Sequence, residues 1–422
     1  MAKTGTFISV AEDQEGKLPR IVTETEGLPV LQVDAEGKTP MSTLFGELTV
    51  GQRRDDISVQ FQYNNATKDV KEAVSGTGVA DNNDSMAEVS TGTGVGSASI
   101  TSLDSVRYRP GHECVAMQTI IFDENEAGVN QKGGLLNDDD GLAFGYQGTA
   151  FGVWFIEGGN TNFYAQSEWN HDKLDGTGAS GFDLDPSKMN IYKISFGWLG
   201  IAPIYFTVFA GHKKGWVLCH VIDRVNIDAE PHLQNPSLPL RVIIDRESGT
   251  GVNCHIHTSS WRAGVIGEDA EGNSSDRVFT YNALEITVPA ATPTAVLIVR
   301  SKATYQGKSN HVKARPIIIT FDTAGNKPVL ILGVPNPTYG TTPTFSDRDT
   351  VNSMMEFALG PHEITSTIPG GVPATVMGGN DSRELDSEKR KLIIYPGQEL
   401  AIVAESSQAT EISTSWTILE EF

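Results

Sequence analysis

Between Arg107 and Trp261 the chain is a succession of short runs in which apolar and polar residues alternate, each cut off by a glycine-rich turn. The run from Tyr192 to Trp198 shows the pattern. Tyr192, Ile194, Phe196 and Trp198 fall on one side, while Ile191, Lys193 and Ser195 form a mixed opposite side. A period of two puts alternate side chains on opposite faces of a pleated strand, so such runs can bury one face and wet the other. No stretch here carries the helical period. Comparable runs begin at Val115, Gly141, Phe151, Ile204, Trp216, Arg241 and Asn253. Roughly eight strands at close spacing predict a sandwich of jelly-roll type.

The rest of the chain has the same character. Runs at Ala283, Thr294, Ile317, Pro328, Lys391, Glu399 and Glu411 predict a second β unit whose last strand ties down the C-terminal end. The predicted fold class is therefore all-β: two β-sandwich (jelly-roll-like) domains over 101–265 and 266–422, preceded by an extended N-terminal arm. That arm with its Ser/Thr/Gly-rich docking segment spans 1–100. Strand-like pieces occur there at Phe7, Leu28 and Ile57, but they offer too few apolar residues for a core of their own. Gly-Thr-Gly-Val occurs at Gly76, Gly92 and Gly249, which predicts tight turns and not a repeat architecture. The segment Pro335 to Gly379 predicts a long projecting loop, and only Ser382 to Lys391 predicts a short helix.

At 422 residues the chain is long enough for two or three cores. Its net charge of −21 argues against nucleic-acid binding, because counterion displacement from phosphates needs a basic stripe and the densest here is Lys389-Arg390-Lys391. No apolar run approaches twenty residues, so no membrane insertion is expected. Cys114, Cys219 and Cys254 are too few for a disulfide framework. With no signal-peptide pattern at Met1-Ala-Lys-Thr-Gly-Thr, synthesis in a reducing cytoplasm is expected.

Several phrases together resemble a family of virion structural proteins from tailed bacteriophages and large DNA viruses. They are Phe45-Gly-Glu-Leu-Thr-Val, Tyr63-Asn64, Arg107-Tyr-Arg-Pro-Gly and Phe144-Gly-Tyr-Gln-Gly-Thr-Ala-Phe-Gly. Further on come Trp169-Asn-His-Asp-Lys-Leu-Asp-Gly-Thr-Gly-Ala-Ser-Gly, Leu184-Asp-Pro-Ser-Lys, Trp198-Leu-Gly and Asn235-Pro-Ser-Leu-Pro-Leu. The resemblance covers residues 45–265 and continues more weakly at Tyr395-Pro-Gly-Gln-Glu-Leu. It implies a structural role in the virion, as head fibre, capsid decoration or tail component, with assembly in the host cytoplasm and release by lysis. It brings no catalytic pattern. The partners expected are sister copies, with a trimer favoured, and other virion proteins of the capsid or tail. A receptor- or glycan-binding fibre module contacting the host surface is the alternative, and a polysaccharide depolymerase is third.

The residues proposed for host or subunit contact are Trp169, Asp172, Asp175, Asp183 and Asp185. Trp169 is the tryptophan read as exposed, because Glu168 and Asn170 flank it. The four aspartates, near Glu168, have the residue type of a glycosidase pair. They also sit where turn formers sit, in Asp175-Gly-Thr-Gly and Asp185-Pro, and the turn reading is preferred. Asp138-Asp139-Asp140-Gly141 lacks the spacing of a calcium loop and reads as a solvated acidic turn. His255 and His257 share a strand face as two metal ligands would, but no third ligand stands at a defined spacing. No catalytic residue, metal or cofactor is assigned.

Overall fold

A computed structural model describes residues 53–267, 276–324, 328–365 and 392–422, together with the backbone of 372–377 and 382–386. It is built from antiparallel strands arranged around two separate cores. The first core lies between two sheets. One runs β13 (Trp216–Ile222), β12 (Ile204–Phe209), β11 (Asn190–Phe196), β6 (Glu113–Phe122), β15 (His255–Ile266), β4 (Met86–Ser90) and β3 (Val79–Asn83). Strand β1 (Arg53–Gln60) joins it by pairing with the second half of β15, where β4 has ended. The facing sheet runs β10 (Asn160–Ala165), β9 (Ala150–Glu157), β8 (Gly141–Gln147), β7 (Val129–Leu136), β14 (Pro239–Arg246), β5 (Gly96–Ser105) and β2 (Val70–Gly76).

The alternation read from the sequence decides which face goes inside. Tyr192, Ile194 and Phe196 are buried while Ile191 is exposed. Phe122, Phe144, Tyr146, Phe151, Trp169 and Tyr192 form one aromatic cluster whose rings meet largely edge to face. Such contacts add specificity to the apolar burial that drives the packing. Cys114, Cys219 and Cys254 are all buried as free thiols, and burial pushes the Cys254 thiol up to about 11.

Of the strands that follow β5 in this sandwich, two are not evident in the sequence. Strand β7 contains Gly133-Gly134, which reads as a turn. In the sheet both positions are too crowded for a side chain: a Cβ on Gly134 would stand 2.0 Å from the Leu142 carbonyl oxygen, and one on Gly133 2.4 Å from Ile120. Strand β10 is short and polar, as suits a sheet edge.

The arm expected over 1–100 is corrected over its second half. Residues 53–100 supply β1 to β4 and the start of β5, and Ile57, Val59, Phe61, Val89 and Ile100 lie in the core. The apolar residues there are few, but alternation aims enough of them inward to complete the core, while Tyr63, Val74, Val79 and Val95 stay exposed. The pieces at Phe7, Leu28 and Phe45 lie outside the described residues. The three Gly-Thr-Gly-Val echoes do form turns, and they meet at one corner. The Thr77 hydroxyl donates to the Thr91 carbonyl, Gly94 N–H donates back to the Thr77 hydroxyl, and Gly251 N–H donates to the Thr93 carbonyl.

The second core lies between a four-stranded and a six-stranded sheet. The first runs β16 (Arg277–Val288), β27 (Thr410–Glu421), β20 (Lys313–Ala324) and β25 (Ser382–Asp386). The second runs β22 (Ser346–Asp347), β23 (Met355–Glu363), β17 (Thr294–Ser301), β26 (Glu399–Ser406), β21 (Val329–Pro335) and β24 (Val372–Met377). Tyr281, Leu297, Ile402, Trp416 and Ile418 fill the space between them. Strand β27 is central to its sheet, so the terminal run is tied down as expected.

Two expectations fail in this half. Pro335 to Gly379 is not one loop, since β22, β23 and β24 lie within it; Gly360-Pro361, which suggested a loop, sits inside β23 where the register with β17 shifts. Residues 382–386 pair with β20 as a strand and not as the start of a helix, because a sheet edge there offers them backbone partners. The remainder of that expected helix, 387–391, lies outside the described residues. Among the described residues no helix is long and apolar enough to cross a membrane.

Candidate functional site

The residues singled out in the Glu168–Asp185 region come together, but as supports of a loop. A 3-10 turn at Gln166–Glu168 leads into Trp169, which is 3% exposed and packs against Phe144 and Phe151. The expectation of an exposed Trp169 is therefore corrected. Its polar neighbours Glu168 and Asn170 face solvent, while the ring turns beneath the loop into the aromatic cluster.

Asp172 is buried beside it. Its carboxylate accepts the Leu174 N–H at 2.9 Å and the Ser180 N–H at 2.8 Å. Burial works against its charge, but these bonds prevail and hold the carboxyl below its usual range. The loop wraps so closely that a Cβ on Gly178 would lie 2.1 Å from the Asp172 carboxylate.

Asp175 accepts the Thr177 hydroxyl and N–H, and Asp185 accepts the same pair from Ser187. Those hydroxyls hold both carboxyls low. Asp183 is exposed and bridges to Asp175 through backbone pairing. Three of the four carboxylates are thus engaged by their own loop, in the manner of Asx turns. A general acid needs a raised pKa, and none of these three has one.

The acidic run Asp138-Asp139-Asp140 does something the sequence did not reveal: it joins the two sandwiches. Asp140, 1% exposed, accepts the N–H groups of Gln234 at 3.0 Å, Asn235 at 2.9 Å and Gly158 at 3.3 Å. Asp138 pairs with Arg241 at 2.7 Å. Asp139 reaches the second domain, accepting the Ser309 hydroxyl at 3.1 Å. Ser309 lies on a small hairpin of β18 (Thr304–Tyr305) and β19 (Lys308–Ser309), and Lys308 Nζ also crosses over, to the Gln234 carbonyl at 2.9 Å.

His311, just beyond this hairpin, is the centre of the junction. The Asn137 amide donates to its Nε2 at 2.8 Å, which leaves Nδ1–H facing the Ser105 hydroxyl at 3.4 Å. Lys313 pairs with Asp104 at 2.9 Å, and Arg107 donates to the Phe422 carbonyl at 2.8 Å and pairs with Asp276. Two clefts of about 390 Å³ flank His311. The more apolar one is walled by Leu103, Val106, Tyr305, Val312 and Phe422, with Arg107 and Lys313 at hand. Grooves between domains are common ligand sites. Neither His311 nor Phe422 carries a local sequence signal for this place, because their partners lie some hundreds of residues away.

Burial pushes the His311 imidazole down to about 4, although Asp140 and Asp139 pull the other way. An unfolded histidine titrates near 6.5. As pH falls, the unfolded chain therefore takes up this proton before the folded chain does. The stabilisation is full above about pH 6.5 and is lost as pH drops toward 4. The melting temperature of the wild type should fall over this window, and His311→Gln should show a shallower fall. Parallel slopes for the two proteins would contradict this reading of the junction.

A further cluster lies on the first sandwich. Glu88, His255 and His257 bring one ligand atom each to within 4.8 Å of one another. The third metal-type ligand that spacing along the sequence did not supply comes from the neighbouring strand β4.

No family model matches the chain, and no curated protein matches it. Among solved structures, a putative beta-glucanase from Mycobacterium abscessus aligns with 50% of this chain and 100% of its own, at 11% identity and a TM-score of 0.33. The apo Crh5 transglycosylase aligns with 51% of this chain and 86% of its own, at 11% identity and a TM-score of 0.34. Lectin I-B4 from Griffonia simplicifolia aligns with 50% of this chain and 99% of its own, at 13% identity and a TM-score of 0.29. Likenesses this weak assign no activity to the chain.

Proposed function

We propose that the chain is a non-enzymatic structural protein of a tailed-phage particle, a capsid-attached fibre or decoration protein that works as a homo-oligomer of three copies. The reading is supported by where the phrases that resemble those of virion proteins fall. Arg107 of Arg107-Tyr-Arg-Pro-Gly ties one sandwich to the other. Phe144 to Gly152 forms the β8–β9 hairpin, whose rings fill the core and whose Gly145 and Gly152 allow backbones to touch. Trp169 to Asp185 is a self-capped loop. Residues engaged in core packing, loop capping and the tie between sandwiches support a scaffold over a catalyst.

The assembly surface follows from the Gly-Thr-Gly-Val corner. Each echo leaves its valine in solvent: Val79 at 49%, Val95 at 52% and Val252 at 56%. Strands β2 and β3, which end the two sheet orders among the described residues, meet at the same corner. Unpaired edges beside exposed apolar side chains are where strands of another copy add. Light scattering behind size-exclusion chromatography should give three times the 45.5 kDa chain mass for the wild type. The triple variant Val79→Ser, Val95→Ser, Val252→Ser should run as a monomer with an unchanged circular-dichroism spectrum. A monomeric wild type, or a variant that stays trimeric, would count against it.

A further inference from the structure

Strands β4 and β15 pair in a register that sets Glu88 directly opposite His257, with His255 two residues away on the same face. Strand β6 pairs with the other side of β15 and stiffens the platform. The two imidazoles are stacked nearly parallel, 5.8 Å apart with 6° between their planes. Glu88 faces both, its Oε1 2.6 Å from His255 Nδ1 and its Oε2 3.8 Å from His257 Nδ1.

A simple ion pair accounts for His255. It does not account for His257, whose Nδ1 is buried without a hydrogen-bond partner although a buried polar nitrogen normally has one. On its far side, His257 Nε2 stands 3.7 Å from Asp123 Oδ2. A carboxylate behind an imidazole is the usual way that a metal-binding histidine is oriented. Asn83 holds the Glu88 carboxylate in place through a bond of 2.9 Å.

We propose that Glu88, His255 and His257 bind one divalent first-row transition ion, with zinc as the reference case, which clamps β4 to β15. Two imidazoles and one carboxylate suit such an ion and not calcium or magnesium, which prefer all-oxygen shells. Ligand atoms around tetrahedral zinc stand about 3.3 Å apart, given bonds near 2 Å. The three donors reach that spacing by small side-chain rotations on fixed strands. Three protein ligands leave a fourth position for water or for a neighbouring group.

The test uses the untagged full chain, stripped with a chelator and titrated with zinc chloride by calorimetry. One saturable site per chain is expected, together with a higher melting temperature. His257→Gln and Glu88→Gln should each abolish the site while keeping the wild-type circular-dichroism spectrum. Asp123→Asn should retain it at about 10-fold lower affinity, as befits a positioning residue. Cobalt(II) should give visible d–d absorption in the wild type and in Asp123→Asn but in neither His257→Gln nor Glu88→Gln, and calcium should give no heat. A wild type that takes up no zinc overturns the proposal outright. So does zinc binding that survives both substitutions.

Discussion

Replacing Trp261 by alanine should destabilise the first sandwich by about 3–5 kcal/mol, the range for removing a large aromatic side chain from a core. Trp261 is 2% exposed on β15, where β1 and β6 flank it, opposite Val59 and Gln118. Its ring meets Phe61 edge to face at 4.9 Å, and its indole N–H donates to the Thr258 hydroxyl at 2.7 Å. Truncation leaves a cavity, takes away the partner of Phe61 and removes the donor to Thr258. At roughly 2–4 °C per kcal/mol for a domain of this size, melting should fall on the order of 10 °C. Trp261→Phe should cost less, since most of the volume returns. Differential scanning calorimetry checks both. A shift of only a degree or two for the alanine variant would show that β1 and β15 do not pack as described.

The second large effect is expected at Asp140. Alanine there leaves three backbone N–H groups, those of Gly158, Gln234 and Asn235, without their acceptor in a buried place. Each such orphan costs about 1–3 kcal/mol, and water entering the space recovers part of it. We expect a net loss of about 3–5 kcal/mol. Asp140→Asn keeps one acceptor oxygen and should lose less. Because the loop through Gln234 and Asn235 also carries the contacts of Lys308 and Ser309, limited proteolysis should cut more readily between the domains in the alanine variant. Unchanged melting and unchanged proteolysis would rule out this role. Restoration of the variant's stability by added calcium would assign the acidic run to ion binding instead.

The fold was legible wherever burial is one-sided. Tyr192, Ile194 and Phe196 alternate with polar residues, so their strand and its inner face follow from spacing alone. Gly133-Gly134 hid β7, because two glycines signal a turn unless the crowding against Leu142 and Ile120 is known. The aspartates of the Trp169–Asp185 loop were legible as turn formers, since an Asx carboxylate reaches the backbone two residues ahead. Trp169 was not. Its neighbours along the chain are polar, and only the packing of the loop on Phe144 and Phe151 puts its ring inside. The junction at His311 and the pairing of Glu88 with His255 and His257 depend on contacts 167 to 206 residues apart. Local pattern carries no information about such contacts.

Cryo-electron microscopy of phage particles purified from an infection in which this chain is expressed would test most directly the proposal that its output is assembly and not bond cleavage. Density for both sandwiches at symmetry-related positions on the particle, three copies meeting at the Val79–Val95–Val252 corner, is the expected result. Particles that lack the chain, or a lone copy whose clefts enclose a cleaved sugar, would contradict it.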